Sequence, residues 1–110
     1  MAVRYIFNSS GDYVAFVQGE HLFTPEADWL GFIRDGNEVY SKKGKFVGYL
    51  MDDDRIVRNR NEFQRFPIFP PFQPFKPFRP FTPYKRLRMP RLPYPYEDVF
   101  EDQSVEAFAS

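Results

Sequence analysis

The stretch "YIFNSSGDYVAFV", residues 5–17, returns three times along the chain, as "HLFTPEADWLGFI" from His21, "EVYSKKGKFVGYL" from Glu38 and "RIVRNRNEFQRFP" from Arg55. Each copy runs from a short apolar segment through a polar turn into an aromatic, aliphatic, small, aromatic, aliphatic series. A polarity period of two is that of a β-strand, whose successive side chains point to opposite faces. Two such strands flanking a short polar turn predict a β-hairpin. The fold class read from the repeat is all-β, with four pseudo-repeated β-hairpins. An isolated hairpin is marginal in water, so the four must bury their apolar sides against one another.

Strict alternation in the second strand of copy one puts Tyr13, Ala15 and Val17 on one face and Val14 and Phe16 on the other. Trp29, Gly31 and Ile33 oppose Leu30 and Phe32 in copy two, and Phe46, Gly48 and Leu50 oppose Val47 and Tyr49 in copy three. The small residues Ala15, Gly31 and Gly48 recur at one position, which predicts close approach of neighbouring backbones there. The turn position holds Gly11, Gly44 and Asn61, residue types that tolerate positive φ. Ala27 breaks this rule, and Pro25 implies another form for its turn.

These motifs, "GDYVAF", "ADWLGF" and "GKFVGY", resemble those of the four-fold beta flower proteins, a family of small bacterial chains without an established function. The resemblance covers residues 4 to about 66. It implies four such hairpins. "YPYEDVF", residues 94–100, is similar to the Tyr-Pro-Asp-Val-Phe-like end of the three-residue-periodic tails of some relatives. This chain departs from the pattern in its fourth copy, where Gln64 and Arg65 replace the aliphatic and small residues. It also uses Phe where those tails use Gly.

Composition divides the chain. All six glycines lie between Gly11 and Gly48, and ten of eleven prolines between Pro67 and Pro95. The zero net charge conceals minus four over residues 1–54, plus nine over 55–91 and minus five over 92–110. We therefore expect a β-domain over residues 1–66, an extended basic arm over 67–96 and an acidic C-terminal peptide over 97–110. The peptide is expected to form a short helix started by Ser104 or to order on binding. With no cysteine, disulfides and thiolate metal sites are excluded. No segment has the roughly 20 apolar residues of a membrane span, and the N-terminus lacks the pattern of a signal peptide. A cytoplasmic protein is expected.

The arm, "PPFQPFKPFRPFTPYK" at its centre, continues an aromatic period of three: Phe63, Phe66, Phe69, Phe72, Phe75, Phe78, Phe81, Tyr84 and then Leu87. Its prolines bar helix and sheet, and polyproline II repeats every three residues with a rise of about 3.1 Å per residue. Apolar rings thus form one edge, prolines a second, and Gln73, Lys76, Arg79, Thr82 and Lys85 a third. Collagen is excluded, because there is no Gly after Gly48. The expected partner-binding residues are Phe69, Phe72, Phe75, Phe78, Phe81 and Tyr84, with Lys76, Arg79, Arg86, Arg88 and Arg91 for orientation. A larger protein complex is the expected partner. Nucleic acid, bound through phosphate neutralisation and base stacking, is the alternative. Packing of the arm on its own head, self-association by arm exchange and attachment to an anionic membrane surface complete the choices.

Chemistry is sparsely provided. His21 is the only histidine and occupies an ordinary repeat position. Ser9, Ser10 and Ser41 sit in turns, where they favour local hydrogen bonds. Asp52, Asp53 and Asp54 are the one carboxylate cluster, without calcium-loop spacing. No phosphate-cradling loop or dinucleotide fingerprint occurs. The expectation is a non-enzymatic protein without cofactor or metal.

Overall fold

The repeat folds as an eight-stranded antiparallel meander in the computed structural model, which describes residues 2–109. The strands are β1 (Val3–Phe7), β2 (Tyr13–Gln18), β3 (His21–Phe23), β4 (Trp29–Arg34), β5 (Glu38–Ser41), β6 (Phe46–Leu50), β7 (Ile56–Asn59) and β8 (Tyr96–Asp98). Each pairs only with its sequence neighbours, in the order β1 to β8. The sheet curls until its ends approach: Phe7 N–H donates to the Asp54 carbonyl (2.9 Å), and Ser9 N–H to the Asp98 carboxylate (2.6 Å).

The first three hairpins share one turn. The residue that opens it, Asn8, Thr24 or Ser41, accepts the N–H of Asp12, Asp28 or Lys45 on its side-chain oxygen. Its own N–H and C=O bond back across the turn in the same pattern each time. This local capping is what Asn, Ser and Thr do well. The fourth residue of the turn has positive φ, at Gly11 (89°), Ala27 (71°) and Gly44 (88°). Ala27 therefore keeps the common turn despite its Cβ, contrary to expectation. Asn61 does not have positive φ, because the fourth turn closes differently, with Glu62 N–H donating to the Asn59 carbonyl (3.0 Å).

A bulge follows each of these turns. Ile6 faces Ala15 while Phe7 faces Tyr13, leaving Val14 as the extra residue; Leu30 and Val47 are its equivalents. An extra residue breaks the period of two. Val14, Leu30 and Val47 thus enter the same core as Ala15, Val17, Ile33 and Leu50, so the alternating faces read from the sequence are wrong at this position. Ile6, Leu22, Val39 and Ile56, one from each repeat, are completely buried in that core. Each such side chain contributes about 1.5–3 kcal/mol. The close approach expected at the small residues is present: a Cβ on Gly31 would overlap the Tyr40 carbonyl, and one on Gly48 the Val57 carbonyl.

The fourth hairpin corrects the reading of residues 55–66. β7 pairs with Tyr96–Asp98, in the register Val57↔Asp98 and Asn59↔Tyr96, and Phe63–Phe66 form no strand. Gln64 and Arg65 could not replace an aliphatic and a small residue in a half-buried strand, whereas "YEDVF" supplies Val99 and Phe100 to the core. The four-hairpin domain is therefore not contained in residues 1–66, and the arm is an insertion in its last hairpin. The acidic end forms two short 3-10 turns, Glu101–Gln103 and Glu106–Phe108. Phe108 stacks on Phe100 (ring centroids 5.4 Å) and joins the core. Ser104 Oγ accepts the Glu106 N–H (3.2 Å), which opens the second turn.

A proline-edged hoop and its outward aromatic stripe

Between Phe63 and Pro93 the chain has neither helix nor strand, yet its exposure repeats every three residues. Arg65, Ile68, Pro74, Pro77, Pro80, Pro83, Met89, Leu92 and Pro95 are half-buried. The proline edge, not the aromatic edge, faces the head. Prolines give this edge stiffness and apolar area but no N–H. Where a donor is needed, the proline is replaced: Ile68 N–H bonds the Gly44 carbonyl (2.9 Å), Arg86 N–H the Gly11 carbonyl (2.9 Å), and Met89 N–H the Ser9 carbonyl (2.9 Å).

The hoop meets the hairpin turns in the order third, second, first and fourth, at steps of eight to ten residues. Ile68 meets the third turn at Gly44, Lys76 bonds Asp28 of the second (3.2 Å), Arg86 meets the first at Gly11, and the Pro95 carbonyl accepts the Arg60 N–H of the fourth (3.2 Å). Ile68, Arg86 and Pro95 are spaced by multiples of nine residues, three turns of polyproline II, so one edge returns to the head at these stops, while Lys76 reaches Asp28 from the polar edge. The 36 residues from Asn59 to Pro95 would extend roughly 110 Å at 3.1 Å each. That is the rim of a disc whose backbone measures 36 × 35 × 22 Å. The arm is a hoop around the head.

The turn glycines make the hoop fit. A Cβ on Gly44 would overlap the Ile68 carbonyl oxygen, and one on Gly11 the Arg86 carbonyl oxygen. At the second turn the Cβ of Ala27 is present, and the hoop there carries Pro77, nine residues from both Ile68 and Arg86, which has no N–H to donate. The two exceptions coincide.

Charges follow the same register. Lys76 pairs with Asp28 and Lys85 with Asp12 (3.1 Å), nine residues apart on the hoop and at the same position of two turns; the third turn has Lys45 there, and the hoop has the uncharged Pro67. The Lys85 ammonium holds the Asp12 carboxyl below the usual range. Arg86 turns inward, stacking over Phe7 (4.0 Å) and bonding Asp54 (2.8 Å). Arg65 stacks likewise over Phe46 (4.0 Å) and bonds Glu38 (3.3 Å). The buried Arg55 was missed in the sequence: it donates to Asp53 (2.6 Å), Ser9 Oγ (3.1 Å) and the Pro90 carbonyl (2.8 Å), joining head to hoop. Two of the three consecutive aspartates are taken up by arginines: Asp53 pairs with Arg55, and Asp54 with Arg4 and Arg86. Among the described residues no group of His, Cys, Asp and Glu is placed to hold a metal ion.

The third edge is left open. Phe63, Phe66, Phe69, Phe72, Phe75, Phe78, Phe81, Tyr84 and Leu87 are all 90–99% exposed. Of the expected partner-binding residues, Phe69, Phe72, Phe75, Phe78, Phe81 and Tyr84 thus share one outward stripe. Lys76 and Arg86 are engaged with the head, and Arg79, Arg88 and Arg91 make no ion pair among the described residues. No helix among the described residues is long and apolar enough to cross a membrane.

A curled meander of four hairpins, bound by an arm inserted in its last hairpin, defines an all-β repeat protein. The chain belongs to the family of 4-fold beta flower proteins, whose pattern matches residues 4–108 and so takes in the head, the hoop and β8. No curated protein and no solved structure matches the chain.

Proposed function

We propose that this is a non-enzymatic interaction protein, a stiff β-disc whose hoop fixes it into a larger protein assembly as linker, clamp or subunit. The observation that carries the reading is the stripe of nine apolar side chains, each nearly fully exposed although the hoop's proline edge packs on the head and Lys76 and Lys85 of its polar edge pair with Asp28 and Asp12. Monomeric proteins rarely expose contiguous apolar patches beyond a few hundred Å². Phe72, Phe75, Phe78, Phe81 and their neighbours supply affinity, and Arg79, Arg88 and Arg91 supply orientation. A cytoplasmic location is part of the same proposal. Running along nucleic acid is less well supported, since Lys76, Lys85 and Arg86 are occupied by Asp28, Asp12 and Asp54.

Affinity capture from the native host tests this, comparing the full chain with the F72S/F75S/F78S/F81S variant. A wash at roughly 0.5 M salt removes phosphate contacts and spares apolar ones. Proteins retained by the native chain and lost with the variant are the expected result. Equal retention by both chains, or retention of nucleic acid alone at low salt, would refute the reading.

A further inference from the structure

Three features of the stripe narrow its partner. Its curvature is fixed, because the hoop is pinned at Gly44, Asp28, Gly11 and Arg60, so the rings follow the rim and not a straight line. A linear groove would engage only a few of them. A matching circular stripe engages them all.

Its spacing is fixed too. Successive rings on one edge of polyproline II stand about 9 Å apart. A ring inserted midway would have neighbours at between 4 and 5 Å, close to the 4.5–7 Å of offset-stacked and edge-to-face aromatic pairs. The stripe leaves room for an identical stripe between its own teeth.

The charges permit this approach. Lys76 and Lys85 bind acids of the head from the polar edge. With three edges about 120° apart, the aromatic edge leaves the rim on the side away from those pairs. Two stripes therefore meet without opposing their basic residues. Covering half the area of nine such side chains removes roughly 700–1,100 Å² from each copy, against about 800 Å² per partner in a stable interface.

We infer that the partner of the stripe is a second copy of this chain: two discs stack coaxially about a twofold axis, their aromatic edges interdigitated. This rests on the reading of the stripe as a docking surface and names its occupant. An isologous contact of this kind closes after two copies, leaving the outer face of each disc free.

Sedimentation equilibrium on the full chain, from about 1 to about 100 μM, tests it over the range in which a micromolar dimer dissociates. The expected result is a monomer–dimer equilibrium for the native chain. Phe75→Asp should raise the dissociation constant at least about tenfold, and F72S/F75S/F78S/F81S should be monomeric throughout. These side chains rest on nothing in their own chain, and an unchanged melting curve of the monomer checks that. A native chain monomeric at every concentration overturns the inference, as does a dimer that both variants retain. If that monomer instead binds phosphatidylcholine–phosphatidylserine vesicles, the occupant is a lipid surface. The host capture experiment separately decides whether the docking reading survives, since a monomer that retains other proteins through the same four rings would preserve it.

Discussion

Arg86 N–H donates to the Gly11 carbonyl at 2.9 Å, while the Arg86 carbonyl oxygen fills the space that a side chain on Gly11 would need. Gly11→Ala should cost about 2–4 kcal/mol, combining left-handed backbone strain with displacement of the hoop. Gly36→Ala is the control: its φ is 84°, but nothing lies within 4 Å of the added methyl, so it should cost only about 1–2 kcal/mol. Urea unfolding of the two variants measures the difference, and equal losses would remove the hoop contact from the account.

The exceptions in the proline edge should be intolerant of proline. Ile68→Pro removes the donor to Gly44 and should cost about 1–2 kcal/mol. Pro77→Ala should cost less, about 0.4–1 kcal/mol, through a more flexible unfolded chain. Thermal melts of the pair give the comparison.

Register in the hoop should matter more than length. One residue inserted after Pro74 turns every later edge by about 120° and takes Arg86 and Met89 out of phase. Three inserted residues restore the phase and add only slack, at a small entropic cost. Hydrogen exchange at the Arg86 and Met89 amides should be fast in the first variant and slow in the second.

The last hairpin carries the core. Phe100 is fully buried and stacked on Phe108, so Phe100→Ala should cost about 3–5 kcal/mol. Truncation after Phe66 removes β8, Val99, Phe100 and Phe108 together, and circular dichroism should show that product unfolded.

Tyr13 gives the pH response. Its hydroxyl is buried without a hydrogen-bond partner, and burial pushes its pKa up from 10.0 to about 12. Because the folded chain holds this proton more tightly, stability is full below pH 10 and falls between pH 10 and about 12, as the unfolded phenol ionises first. Tyr13→Phe should flatten that decline and, by removing an unpaired hydroxyl, stabilise the protein by up to about 1 kcal/mol at neutral pH. Unfolding free energies measured from pH 8 to pH 12 test both statements.

Much of the fold was legible because hairpins are local. The repeat, the turns and the close approach at Gly31 and Gly48 all follow from residues within 20 positions of one another. The bulges at Val14, Leu30 and Val47 were hidden because an apolar residue there fits either face of a strand. The pairing of Val57 with Asp98 crosses a whole insertion, and nothing in "RIVRN" says that its mate is 40 residues away. The three edges of the arm could be written from its period alone. Which edge faces inward depended on a subtler signal, the loss of proline at Ile68, Arg86 and Met89. An aromatic stripe reads as the sticky side, and the residues expected to bind a partner accordingly included the rings and none of the prolines.

The hoop also dictates an order of assembly. Seven strands emerge in sequence and pair with immediate neighbours, so they form from short-range contacts that cost little chain entropy. β8 is different, since Asn59 and Tyr96 meet only after the intervening segment has gone once round the disc. Closing so long a loop comes late and has the highest entropic cost of any pairing in the molecule. On a ribosome, where the N-terminal part folds first, the nascent chain waits as an unsealed cup with β7 as a bare edge, and residues 96–108 act as its clasp.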